Sequence, residues 1–180
     1  MSMNIWHHMA KERVSPENYM ACIEIAKGSR SKYELDKQTG MLKLDRVLYT
    51  SMIYPANYGF IPLTYAEDDD PLDVLVLCEE SIQPMTLVQC YPIGVVMMHD
   101  GSHADEKIIS VPFGDPTYNQ YQDIFELPQN MRDKMMHFFE FYKTLEGKVT
   151  QIGEPQGREA AIEVIRSCIE RYNNVFAGRV

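Results

Sequence analysis

The chain has 180 residues, 45% of them hydrophobic, with formal charge −9 and four cysteines. That length suits one domain with its own core, needing neither disulfides nor a structural metal. The charge excludes a nucleic-acid backbone as bulk partner, and no apolar run approaches the ~18 residues of a membrane span.

Residues 1–18 contain Trp6, His7, His8, Lys11, Glu12 and Arg13. They lack the apolar core of a secretory signal and are expected as an N-terminal tail on one domain, 1–180. Cys22, Cys78, Cys90 and Cys168 form no CxxC pair and are expected as free thiols of a cytoplasmic protein. Tyr19–Ala26 alternates loosely as a strand. Lys32–Asp36 and Met41–Val47 flank the turn signal Gln38-Thr39-Gly40 and predict a hairpin. Leu72–Leu77 reads as a short buried strand. Thr86–Met98 is a longer strand, bent at Pro92-Ile93-Gly94, and Lys107–Val111 returns after a polar loop.

The period then becomes helical. Met131, Met135, Phe138, Phe139, Tyr142 and Leu145 form one stripe, with Pro128 just ahead. Ala161, Ile165, Cys168, Ile169, Tyr172 and Phe176 form a second. Closely spaced, antiparallel strands followed by helices predict an α+β fold: a small barrel with two C-terminal helices packed outside.

The strongest chemical signal is Asp68-Asp69-Asp70-Pro71-Leu72-Asp73. Four carboxylates in six residues repel one another unless cations or water screen them. Pro71 prevents a helix through the segment, and Asp73 opens an apolar strand, so its carboxylate belongs at a barrel mouth. Counted from Asp68, the glycine of an EF-hand loop is missing. Asp100 and Asp105 flank a tight loop, and Lys107 lies two residues beyond Asp105, on one face of a strand. Lys32 and Glu34 repeat that pairing, and Arg46 ends the partner strand. Each pair alone reads more readily as solvated surface than as a site, and Tyr142 alone as a core tyrosine. No P-loop, GxGxxG, GxSxG or HExxH occurs.

Glu24, Lys32-Tyr33-Glu34, Asp45-Arg46, Tyr54-Pro55-x-Asn57-Tyr58-Gly59, Asp68-x-Asp70-Pro71-x-Asp73-Val74, Asp100, Asp105-x-Lys107 and Phe138-Phe139-x-x-Tyr142-Lys143 together resemble the family I soluble inorganic pyrophosphatases, short bacterial and plant-type. The resemblance runs from about Glu24 to Lys148 and implies a distorted five-stranded, OB-like barrel. It implies hydrolysis of pyrophosphate with several Mg²⁺ ions and direct attack by a metal-activated water. It assigns metal to Asp68, Asp73, Asp100, Asp105 and Glu34, and general-base work to Asp70. Phosphate contacts fall to Lys32, Arg46, Lys107, Tyr142 and Lys143, with Tyr58 and Glu24 in support. A homo-oligomer, a hexamer foremost, is also implied.

The charges make that assembly sensible. Glu34, Asp68, Asp70, Asp73, Asp100 and Asp105 against Lys32, Arg46, Lys107 and Lys143 leave a net negative site. Such a site binds a polyanion only with added cations. A phosphohydrolase of other specificity and a cation-holding barrel module are the alternatives.

Overall fold

The computed structural model describes residues 4–101 and 103–177, the Asp100 side chain excepted. Nine strands and three α-helices follow in chain order among them: α1 (Ile5–His8), β1 (Tyr19–Ile25), β2 (Ser31–Leu35), β3 (Leu42–Val47), β4 (Asn57–Phe60), β5 (Asp73–Val76), β6 (Leu87–Asp100), β7 (His103–Ala104), β8 (Lys107–Pro112), α2 (Gln129–Phe141), β9 (Gln151–Gly157) and α3 (Arg158–Val175).

Strands β1, β4, β5, β8 and β6 pair in that order, and β6 pairs back to β1, which closes a ring of five. The ring is uneven. Its β5–β8 contact is parallel, where the sequence pattern predicts antiparallel neighbours, because β6 lies between them in the chain and carries it back across the ring. The length of β6 lets it serve β1, β8, β9 and β7 in succession. Its register shifts between Pro92 and Gly94, at the bend predicted from the sequence. Gly59 sets the β1–β4 approach: a Cβ there would lie 1.9 Å from the Cys22 carbonyl oxygen. A side chain at that position would force the two strands apart.

Fully buried Val74, Val95 and Ile108 face Ala161, Ile165 and Cys168 of α3 on one side of the sheet. Leu75, Ile93 and Ile109 face Met135, Phe138 and Phe139 of α2 on the other. This alternation along β5, β6 and β8 explains their near-continuous apolar sequence, since both faces are covered. The hairpin β2–β3 stands apart as a two-stranded sheet. All four cysteines are free thiols.

Three features depart from the sequence reading. Trp6 and Met9, expected in a tail, are buried against Phe60, Leu63 and Tyr172. Their burial removes large apolar side chains from water, which a loose tail would leave exposed. Leu145, expected on the α2 stripe, is 68% exposed, because α2 ends at Phe141 and a 3₁₀ turn, Thr144–Glu146, re-aims it. Strand β9 interrupts the order of strands then helices. It carries Gly153, Pro155 and Gly157, which read as turn residues and are tolerated on a strand paired at one edge only.

Candidate active site

A cleft of about 520 Å³ opens between the β2–β3 hairpin and the mouth of the ring. Its walls include Glu24, Lys32, Glu34, Tyr58, Asp68, Asp70, Asp73, Asp105, Lys107, Tyr142 and Lys143. Eleven of the thirteen candidate residues thus meet in one place. Arg46 does not line the cleft. It stands opposite Lys32 across the hairpin and is held by Glu146 and Asp45, each at 2.5 Å. Asp100 ends β6, its backbone pairing with His103, and its side chain lies outside the described residues.

The centre of the cleft is Lys107. The parallel register puts Asp73 beside Lys107 at the starts of β5 and β8. Its ammonium pairs with Asp73 and Asp105 and lies 5.7 Å from the Tyr58 ring centroid. Only 3% of Lys107 is exposed, so its charge is viable there only with such partners. Burial opposes the charge, but Asp73 and Asp105 outweigh it and hold the Lys107 pKa well above its usual value.

The carboxylates show the converse strain. Asp73 is pushed up by burial and by Asp105, against the pull of Lys107 and the Tyr58 hydroxyl. Asp68 is open on its outer side, yet desolvation of its cleft face, then Asp73 and Asp105, raise it to about 6. Glu24, buried at the floor, is raised to about 8 by burial and by Asp73, although the Leu35 N–H donates to it at 2.7 Å. Three acids held against their ionised forms in one cleft mark a place where added positive charge is welcome.

The remaining groups line the rim. Lys32 pairs with Glu34 and reaches Asp45 at 3.3 Å. Burial opposes its charge, and these carboxylates raise its pKa nonetheless. The Tyr142 ring stacks on Phe138 at 4.9 Å and still borders the cleft, so the core and site readings both hold for it. Lys143 is buried, its Nζ 5.3 Å from that ring.

The acidic loop is built from its own chain. Asp69 adopts φ +67°, the Asp70 N–H donates to Asp68 at 3.2 Å, and the Ala66 N–H donates to the Asp70 carbonyl at 2.8 Å. Lys37 pairs with the Asp70 carboxylate from across the cleft. Sequence reasoning passed over Lys37 and Glu146, which sit in turns and carry no pattern that separates them from surface charge.

The donors suit a hard divalent cation: every candidate ligand offers oxygen, and the raised pKa values of Asp68 and Asp73 mark a place where negative charge is in excess. Among the described residues no three acidic, His or Cys side chains already close on one point, because Lys107 stands between Asp73 and Asp105.

Residues 21–173 match the family model for inorganic pyrophosphatase. The chain belongs to the family I soluble inorganic pyrophosphatases. It is an enzyme of the inorganic diphosphatase class. It is 47% identical over 160 residues to the inorganic pyrophosphatase of Aquifex pyrophilus, covering 87% of this chain and 90% of that one. It is 42% identical over 167 residues to soluble inorganic pyrophosphatase 1 of Arabidopsis thaliana, covering 93% and 79%. The inorganic pyrophosphatase structure from Helicobacter pylori superposes with TM-score 0.88 at 40% identity, covering 93% of this chain and 99% of that one. The family-matched span includes every acidic residue of the cleft but begins after α1, so Trp6, which also lines the cleft, lies outside it.

Proposed function

We propose that the chain hydrolyses inorganic pyrophosphate to two orthophosphates in this cleft, with several Mg²⁺ ions bound. The observation that carries the reading is the Asp73–Lys107–Asp105 cluster with Asp68 beside it, acidic in excess and under electrostatic strain. Asp68, Asp73, Asp105 and Glu34 would hold the ions, and the family resemblance adds Asp100. When bound, Mg²⁺ supplies neutralising charge for the pyrophosphate oxygens and acidifies the attacking water.

The chain's own groups do the rest. Lys32, Lys107, Lys143 and Tyr142 line the cleft, where they would neutralise phosphoryl oxygens and steady the leaving phosphate. Arg46 would join them only after leaving Glu146. Asp70 lines the cleft on the exposed loop and would accept the proton of the attacking water at its carboxylate oxygen. Tyr58 and Glu24 support the floor, Tyr58 through its bond to Asp73.

This reading includes one domain over 1–180, a cytoplasmic location, a homo-oligomer with a hexamer foremost, and neither nucleic acid nor membrane as partner. Among the described residues no helix is long and apolar enough to cross a membrane. Phosphate release from pyrophosphate, ATP and p-nitrophenyl phosphate with Mg²⁺ tests the activity. Rapid turnover of pyrophosphate alone, abolished by EDTA, is expected. Equal turnover of all three, or full activity in chelator, contradicts it.

A further inference from the structure

Lys37 sits in the turn of the β2–β3 hairpin and joins three parts of the molecule. Its ammonium pairs with the Asp70 carboxylate and donates to the Asp69 carbonyl at 3.3 Å. The same ammonium stands 5.4 Å from the centroid of the Trp6 ring. Its backbone carbonyl accepts from Asn4 Nδ2 at 2.9 Å. Trp6 is tied in turn to the base of the acidic loop. Its indole Nε1 donates to the Thr64 carbonyl at 2.8 Å, and its carbonyl accepts from the Leu63 N–H at 3.0 Å. Thr64 Oγ1 accepts from the Leu72 N–H at 2.9 Å, on the far side of Asp70. Residues Asn4–Trp6 therefore touch both walls of the cleft, hairpin and loop.

We propose that Lys37 is a positioning residue for Asp70 and that Trp6 is the support on which it stands. The inference deepens the functional reading above and rests on Asp70 as proton acceptor. The loop needs such a restraint: Asp68, Asp69 and Asp70 are all exposed, Asp69 has a left-handed backbone, and like charges push the three apart. An external cation draws Asp70 back towards the cleft, and the indole face favours the ammonium in that place. Both partners of the Lys37–Asp70 pair are about half exposed, so the pair adds little to global stability. Its value lies in geometry, to which rates are far more sensitive than folding is.

Lys37→Met keeps the aliphatic stem and removes the charge. Steady-state kinetics on pyrophosphate with Mg²⁺ should show kcat lowered about tenfold, short of the ~10² that a 1 Å misplacement costs, with KM within about twofold of wild type. Lys37→Arg should restore most of the rate. Trp6 is the chain's one tryptophan and gives a second readout. Its emission should respond when inorganic phosphate and Mg²⁺ are added to the wild type, and that response should vanish in Lys37→Met. Lys37→Gln, checked for folding by circular dichroism, should repeat both results. Unchanged kcat in both neutral variants, or an emission response equal to wild type, overturns the role of Lys37. If the wild type is inactive on pyrophosphate, or Asp70→Asn is fully active, the functional reading fails and the inference with it. An active wild type, an inactive Asp70→Asn and an unaffected Lys37→Met remove the Lys37 inference alone.

Discussion

Asp73 and Asp115 are both aspartates with limited exposure, and their surroundings treat them in opposite ways. Asp115 accepts from the backbone N–H groups of Glu79 at 2.9 Å, Thr117 at 2.8 Å and Tyr118 at 3.2 Å. Burial acts to raise its pKa, but these donors and the Cys78 thiol outweigh burial and leave it lowered. Burial raises the pKa of Asp73, and the charge of Asp105 adds to it, against the pull of Lys107 and Tyr58. One carboxylate is satisfied by donors and closes a turn. The other is desolvated beyond what its partners offset. The contrast separates a carboxylate that stabilises the fold from one that the fold must tolerate.

The sharpest break in this comparison is chemical. Asp70→Asn should lower kcat by ~10²–10⁴ while leaving Mg²⁺ binding largely intact, because an amide of nearly the same shape cannot accept the proton. Phosphate release and calorimetric Mg²⁺ titration, run in parallel, check both halves. Asp73→Asn should instead weaken Mg²⁺ binding by more than the ~10-fold typical of losing an outer-shell partner. High Mg²⁺ should then recover part of its rate. Rescue of Asp70→Asn but not Asp73→Asn would reverse the two assignments.

Stability should divide the other way. Asp115→Asn leaves backbone donors short of an acceptor and should cost roughly 1–3 kcal/mol in urea unfolding, with activity retained. Asp73→Asn, measured in chelator, should be neutral within about 1 kcal/mol, since losing repulsion offsets losing one partner of a Lys107 that keeps Asp105. A large destabilisation would mean that Asp73 is chiefly structural.

The smallest effect concerns pH. The folded-state pKa of Asp115 lies below its unfolded value of about 3.9, so its contribution is complete above that value and lost as pH falls through the folded one. The stability gap between wild type and Asp115→Asn should be constant from neutral pH down to about pH 5 and narrow below it. A gap that narrows instead at alkaline pH would contradict the sign.

Much of the ring was legible because its strands are short, apolar and bounded by turns. Strand β4 was not: Asn57-Tyr58-Gly59-Phe60 looks like an aromatic turn, and only the approach of β1 to Gly59 makes it a central strand. The parallel pairing of β5 with β8 was hidden because period alone does not set strand direction. In the site, Asp68, Asp70 and Asp73 were visible as an acidic run that alone suits a solvated loop equally well, and only the buried strand attached to it favoured a metal site. Lys107 showed as a lysine near a carboxylate, but nothing local reveals that it is almost wholly buried between two of them. Arg46 was legible as a cation of the hairpin, whereas its partner Glu146 comes from a turn 100 residues later. Sequence patterns report neighbours along one element well and partners across elements poorly.

The parallel seam between β5 and β8 also bears on how the molecule folds. Asp73 and Lys107 lie 34 positions apart and meet only across that seam. Local hairpins such as β2–β3 can form early, but this contact must wait for β6 to cross back and the ring to shut. Until then the acidic loop keeps its water, and Asp73 meets neither Lys107 nor Asp105. The acidic mouth therefore depends on long-range contacts, and its electrostatic burden falls on the closed ring rather than on any one local element.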